Sequence, residues 1–102
     1  MIDLREIDKQ RIGQLAKANL KPGTALWAYG SRIKGSSFEA SDLDLVIKSS
    51  EQSPLSLDEL VEFKQALQDS NIPIVVQVLD WERIPQAFQD NILACYEVLV
   101  TC

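Results

Sequence analysis

Two short groups of residues carry the side chains that could do chemistry. Gly30-Ser31 follows an apolar run, and Asp42 and Asp44 lie within the next apolar run. Gly30 has no Cβ and lets the backbone approach a ligand closely, while Ser31 stands where a helix is expected to begin, so that its amide N–H groups would face an anion. Because residues two apart on a strand project from the same face, the two carboxylates are expected to converge.

Two carboxylates aimed at one point repel each other unless a cation lies between them. A hard divalent ion such as Mg²⁺ (or Mn²⁺) takes oxygen ligands and usually arrives with substrate phosphates. Taken alone, each half is a weak signal, because a Gly-Ser pair is often a plain turn and paired aspartates often lie exposed on an edge strand. The two halves at this spacing predict a site for a metal and a phosphorylated substrate.

The hydrophobic periodicity predicts helices and strands that alternate along the chain. The predicted helices cover residues 3–18, 31–36, 57–69 and 85–94. The predicted strands cover residues 24–29, 41–48 and 74–79, and residues 96–100 are either a final strand or an extended tail. This order predicts an α+β (or α/β) fold, a small mixed β-sheet with helices packed over one face.

Capping residues and apolar positions refine this prediction. Asp3 is a plausible N-cap for the first helix, Ser56 and Glu59 form a capping box for the third, and Asp80 is a candidate cap after the third strand. The side chains that we expect to be buried on helices and strands include Leu57, Leu60, Val61, Phe63, Leu67, Trp27, Tyr29, Phe88 and Trp81.

Composition limits the class of protein. The 102 residues predict a single domain spanning 1–102. We expect no membrane span, because no apolar run is long enough, and a cytoplasmic protein, because Cys95 and Cys102 have no CxxC spacing and no signal peptide is evident. The absence of histidine excludes His-based acid–base catalysis and most zinc sites.

Charge is distributed unevenly. Residues 1–35 carry a net charge of +4, and residues 36–102 carry −9. The acidic part is a poor surface for nucleic acid, so we do not expect direct nucleic-acid binding, and it would suit a basic protein partner. For any single charge, the simpler interpretation is a solvated surface that keeps the protein soluble.

The stretch GSRIKG followed by SDLDLVI resembles the signature of the DNA polymerase β-like nucleotidyltransferase superfamily. The short chain is most similar to the minimal nucleotidyltransferase (MNT) proteins, which are commonly antitoxins paired with a HEPN-domain toxin. The resemblance implies the polymerase β-like fold, Mg²⁺ or Mn²⁺ as cofactor, ATP or another nucleoside triphosphate as substrate, and a hetero-oligomer with the partner.

The resemblance also implies roles for individual residues. Asp42 and Asp44 would be the catalytic metal ligands. The residues that would bind the nucleotide are Gly30, Ser31, Arg32, Lys34 and Ser41, with Arg32 and Lys34 adding positive charge near the phosphates and Ser41 orienting a neighbouring carboxylate. Arg32 and Lys34 are about as well explained as solvated surface.

One position departs from the family pattern. The third strand should present a third carboxylate that faces the first two, but the aligned residue is Gln77, in the stretch VQVLDW. Glutamine can lend a carbonyl oxygen to a metal but cannot act as a base near neutral pH. Asp80 lies three residues further on, so a regular strand turns it to the opposite face.

These observations leave several functions open. The first is an active enzyme that transfers a nucleoside monophosphate, AMP from Mg²⁺–ATP, to a hydroxyl acceptor, by resemblance a tyrosine of a HEPN toxin. The second is a catalytically impaired binding module that neutralises its partner by complex formation. A third is a regulatory sensor that binds ATP without turnover.

Overall fold

The computed structural model describes residues 2–35 and 41–102, which form a four-stranded mixed sheet with helices packed on it. The helices are α1 (Glu6–Asn19), α2 (Ser31–Lys34), α3 (Leu57–Asp69) and α4 (Gln86–Ala94). The strands are β1 (Ala25–Tyr29), β2 (Leu43–Lys48), β3 (Val76–Asp80) and β4 (Tyr96–Thr101). The strand order is β3-β2-β1-β4, with β2 parallel to β3 and the other pairs antiparallel. The predicted α+β class and mixed sheet are confirmed.

The main core lies between one face of the sheet and helices α1 and α3. Alternate strand residues such as Leu26, Leu45 and Val78 point to this face, and Phe63 of α3 packs against them with no exposed surface. Burial of these apolar side chains is the main favourable contribution to folding. This layer holds β1 and β2, which carry both halves of the candidate site, in fixed register.

The opposite face of the sheet is also partly covered, so the prediction that helices cover one face was wrong. Val46, Trp81 and Ile92 of α4 form a second cluster there, against which Trp27 and Tyr29 pack. The second face of β1 carries Trp27 and Tyr29, and Val46 of β2 pairs with Trp27, so that leaving this part of the sheet bare would expose a large apolar area. Trp81 is buried, as predicted.

Three local predictions about helix and strand ends can be compared directly. The capping box of Ser56 and Glu59 is present, and Asp80 caps the 3₁₀ turn that follows β3 by accepting from the Glu82 backbone N–H at 3.1 Å. Asp3 is not the cap of α1, which begins at Glu6 after Arg5. The Asp3 backbone N–H instead donates to the Arg32 carbonyl at 2.9 Å, because this segment pairs with α2 before the helix starts.

The ends of the predicted segments differ in two further ways. Residues 96–101 form a true strand, β4, hydrogen-bonded to β1, and not a tail. Gly35 follows α2 in the left-handed conformation (φ 81°), so the helix ends at Lys34, and Ser36, the predicted end, lies outside the described residues. Of the helices in the described part of the chain, none is long and apolar enough to cross a membrane.

Three side chains that were expected in the core are exposed. Leu57 and Val61 are each 57% exposed and Phe88 is 38% exposed. On α3 the buried face consists of Leu60, Phe63 and Leu67, so Leu57 and Val61 fall on the flank of a narrower apolar stripe than the composition suggested.

Candidate functional site

The two aspartates lie near each other at the start of β2, on the second face of the sheet. Asp44 lies within the strand and is half-buried, while Asp42 lies just before it and is exposed. Asp44 is paired with Tyr29 of β1 on one side and with Gln77 of β3 on the other. Tyr29 is in turn paired with Tyr96, so one row of residues crosses all four strands with Asp44 inside it.

The Gly30 backbone packs directly against the Asp44 side chain. It has φ +84°, and a Cβ placed on it would lie 2.5 Å from the Asp44 Oδ2 atom. A side chain is therefore excluded both by backbone strain and by contact with the carboxylate. The Gly-Ser half of the signature and the Asp half thus meet directly, and α2 begins at Ser31 beside them.

Burial and the closeness of the two carboxylates determine the electrostatics of the pair. Burial raises the pKa of the Asp44 carboxyl, and the nearby Asp42 charge raises it further. Burial, together with the charge of Asp44, raises the pKa of Tyr29 to about 12. A divalent cation near these oxygens would relieve the repulsion that both shifts report.

Gln77, the residue at the third-carboxylate position expected from the sequence, contacts Asp42. Its side-chain amide donates from Nε2 to Asp42 Oδ2 at 3.3 Å. The alternation along β3 therefore turns Gln77 toward the two carboxylates, as the sequence predicts.

Asp80 lies on the other face of β3 and is buried. It accepts from Arg83 Nε at 3.1 Å as well as from the Glu82 backbone. These contacts give Asp80 a structural role in the turn and leave Gln77 as the residue that faces Asp42.

The basic residues near the loop occupy different surroundings. Lys34 is exposed at the end of α2. Arg32 is buried, and its guanidinium donates to the backbone carbonyls of Ser41 and Asp3. The expected phosphate contact of Arg32 stays a prediction, and the hydrogen bonds that the structure describes for its guanidinium are to backbone groups of this chain.

Tyr29 was assigned to the core from its sequence, yet it lies next to Asp44 and at the edge of the site. Its ring makes an edge-to-face contact with Phe88 of α4, at 5.8 Å between ring centroids. The alternation in β1 indicated the face on which Tyr29 lies. Its proximity to Asp44 depends on the antiparallel register of β1 and β2, which the sequence does not specify.

Two grooves lie on the described part of the chain, one of about 550 Å³ between α3 and the start of β3, with Gln77 in its lining, and one of about 410 Å³ lined by Asp3, Arg5 and Arg32 among others. Within residues 2–35 and 41–102, no group of three or more His, Cys, Asp or Glu side chains is arranged to hold a metal. Among these residues, the two carboxylates and the Gln77 amide are the donors that lie together at the site.

Comparison with known proteins gives a consistent family. Residues 10–101 match the family described as polymerase beta, nucleotidyltransferase. A protein of Haemophilus influenzae, described as a probable protein adenylyltransferase MntA, is 39% identical over 80 residues, which cover 78% of this chain and 68% of that protein.

Several solved structures share the fold. A toxin–antitoxin crystallised with AMP-PNP superposes with a TM-score of 0.74 at 18% identity, covering 93% of this chain and 74% of that one. A Shewanella oneidensis protein gives 0.71 at 15% identity, with 97% and 74% covered. The toxin–antitoxin MntA–HepT gives 0.67 at 17% identity, with 96% and 74% covered. At these identities the likeness establishes the fold.

Proposed function

This chain belongs to the polymerase β nucleotidyltransferase family, and on that premise we propose that it transfers AMP from Mg²⁺–ATP to a tyrosine hydroxyl of a HEPN-domain toxin. The observation that carries the proposal is the direct meeting of Gly30 with Asp44, which brings both halves of the signature together. The description of the Haemophilus relative as a protein adenylyltransferase, and the MntA–HepT fold match, support AMP as the group and a toxin as the partner.

The residues present fit a divalent cation with oxygen ligands. Asp42 and Asp44 would hold it, and the Gln77 side chain would offer its carbonyl oxygen after breaking its present hydrogen bond to Asp42. The raised pKa of Asp44 supports this assignment, because burial and then the nearby Asp42 charge disfavour its charged form, and a bound cation would favour that form. When bound, the cation would offset phosphate charge and stabilise the transition state at the α-phosphorus.

The phosphates would lie over Gly30 and the first turn of α2. The first N–H groups of a helix have no partner within it and can donate to phosphate oxygens. Exposed Lys34 would add positive charge on the same short helix. In the transfer, the acceptor oxygen forms a bond to the α-phosphorus, the bond to the β-phosphate oxygen breaks and pyrophosphate leaves.

The acceptor proton needs a base, and Gln77 cannot supply one. Two carboxylates remain, but both would be engaged as metal ligands. We therefore propose that the proton leaves to water, to a phosphate oxygen or to a group of the partner. This predicts slow transfer compared with a site that has a third carboxylate.

The hydrogen bond from Gln77 to Asp42 favours a second candidate function. The Gln77 amide donates to Asp42, which would otherwise be a metal ligand. A protein that binds its partner without catalysis would have no need of a metal at this position. In that case the fold would neutralise its partner through complex formation, without group transfer. The acidic character of residues 36–102 suits a basic partner in either case.

Intact-mass spectrometry separates the two candidates. The chain is mixed with a HEPN-domain protein from the same genome, with and without Mg²⁺–ATP. For the enzyme, we expect a partner mass increased by one or more AMP units, and no increase with the Asp42→Asn, Asp44→Asn double variant. A stable complex with unchanged mass would refute the transferase proposal and support the binding module.

A further inference from the structure

Arg32 connects three parts of the chain through a buried guanidinium that is only 5% exposed. Its Nε and Nη2 atoms donate to the Ser41 carbonyl at 3.1 and 2.7 Å. Its Nη1 atom donates to the Asp3 carbonyl at 2.7 Å. The Asp3 backbone N–H returns a hydrogen bond to the Arg32 carbonyl at 2.9 Å, so the N-terminal segment and α2 hold each other.

The bonds to Ser41 act on the residue that follows it. The Ser41 carbonyl and the Asp42 N–H belong to one rigid peptide plane, so fixing the oxygen fixes the plane that leads into Asp42. The next plane is fixed by the Leu43 N–H, which donates to the Val75 carbonyl at 2.9 Å. Asp42 itself precedes β2 and is exposed, so the direction of its carboxylate depends on these two flanking planes.

Arginine suits this position for a geometric reason. Its planar fork places two donors on one carbonyl oxygen and a third donor on another, and it stays charged at all relevant pH values. A lysine ammonium in the same place would keep the charge but not this fixed arrangement. The geometry therefore predicts that position 32 requires the shape of arginine, and that a positive charge alone is not enough.

From these contacts we infer that Arg32 is a positioning residue that orients Asp42 for metal binding, and not a ligand of the substrate phosphates. Arg32 lies in α2, directly after Gly30-Ser31, so it couples the phosphate-binding half of the signature to the metal-binding half. This inference rests on the proposed function only in the use it assigns to Asp42. The orientation of the Ser41–Asp42 segment can be tested independently.

The test uses Arg32→Lys and two ligands, Mn²⁺ alone and inorganic tripolyphosphate with Mn²⁺. Binding of Mn²⁺ is followed by its electron paramagnetic resonance signal, and hydrogen exchange at the Leu43 amide is followed by NMR. We expect Arg32→Lys to weaken binding of Mn²⁺ alone by about tenfold or more and to speed exchange at Leu43. Arg83→Lys is the matched control, because Arg83 also bonds a neighbouring group, Asp80, but lies in the 3₁₀ turn after β3. It should leave both readouts unchanged.

Two outcomes would overturn the inference. If Mn²⁺ alone binds Arg32→Lys as well as wild type while tripolyphosphate binding falls, Arg32 contacts phosphate directly. If exchange at Leu43 is unchanged, Arg32 does not hold the segment. If wild type binds no Mn²⁺, the proposed metal site fails, and the exchange result still decides the role of Arg32. Should Arg32→Lys not fold, Arg32→Gln, which keeps one donor for the Ser41 carbonyl, is measured in the same way.

Discussion

Replacing Gln77 by aspartate should lower the stability of the metal-free protein and raise the stability that a bound metal adds. The substitution removes the amide that donates to Asp42 at 3.3 Å and places a third carboxylate in the row with Asp44. Two unit charges about 4 Å apart repel by about 1 kcal/mol in water and about 4 kcal/mol near a protein surface. Gln77 and Asp42 are both exposed, so the lower end applies, and we expect the metal-free variant to lose about 1–2 kcal/mol.

With Mn²⁺ present, the added carboxylate should stabilise the protein, because it attracts the cation. A third carboxylate near a divalent ion should contribute at least as much attraction as it did repulsion, and about 1.4 kcal/mol corresponds to a tenfold tighter affinity. Saturating Mn²⁺ should therefore raise the melting temperature of Gln77→Asp more than that of wild type. If the missing carboxylate is also the missing base, AMP transfer should rise by roughly 10²–10⁴-fold.

The matched control is Gln77→Asn, which has the size of aspartate without its charge. Thermal unfolding and calorimetric titration with Mn²⁺ are measured for both variants and for wild type. If both variants respond equally to Mn²⁺, the third position does not reach the cation and the register argument is refuted. If wild type already transfers AMP and Gln77→Ala changes nothing, the functional third position lies elsewhere.

Two further predictions follow from individual contacts. Gly30→Ala should cost about 1–3 kcal/mol of folding stability through backbone strain, and it should abolish Mn²⁺ binding by displacing Asp44. The control is Gly23→Ala, at a turn with a similar φ of +89°, which should lower stability without changing Mn²⁺ binding. Equal Mn²⁺ affinity in the two variants would contradict this prediction. The hydrogen bond from Arg5 lowers the pKa of buried Asp8, so the stability contributed by this pair is present above the ordinary carboxyl pKa and is lost as the pH falls through the lowered folded-state pKa. The difference in melting temperature between wild type and Asp8→Asn should thus narrow in acid, and a pH-independent difference would refute the assignment.

The parts of the site that depend on strand alternation could be predicted from the sequence. The period of two turned Asp44 and Gln77 to one face and Asp80 to the other, and the contacts of each residue agree with it. The capping box of α3 was equally predictable, because Ser56 and Glu59 act within one turn of helix. Such local rules need no knowledge of the rest of the fold.

The errors came from contacts between residues distant in the sequence. The sequence did not predict that Arg32 donates to the Ser41 and Asp3 carbonyls, because these groups become neighbours only after folding. Asp3 itself was expected to cap α1 and instead pairs with α2. The coverage of the second face by α4 likewise depends on tertiary packing, which composition alone does not specify.

The order of the strands has a consequence for how the chain reaches its native state. β1 lies at the centre of the sheet, yet one of its neighbours, β4, is the last strand along the chain, so that Tyr29 pairs with Tyr96. During synthesis, β1 would therefore have an unpaired apolar edge until α3, β3 and α4 have all been made. Pairings between such distant segments form slowly, and an unpaired apolar strand can associate with other chains in the meantime. The step at which β4 joins β1 is thus the point in folding where this protein would most need protection from aggregation.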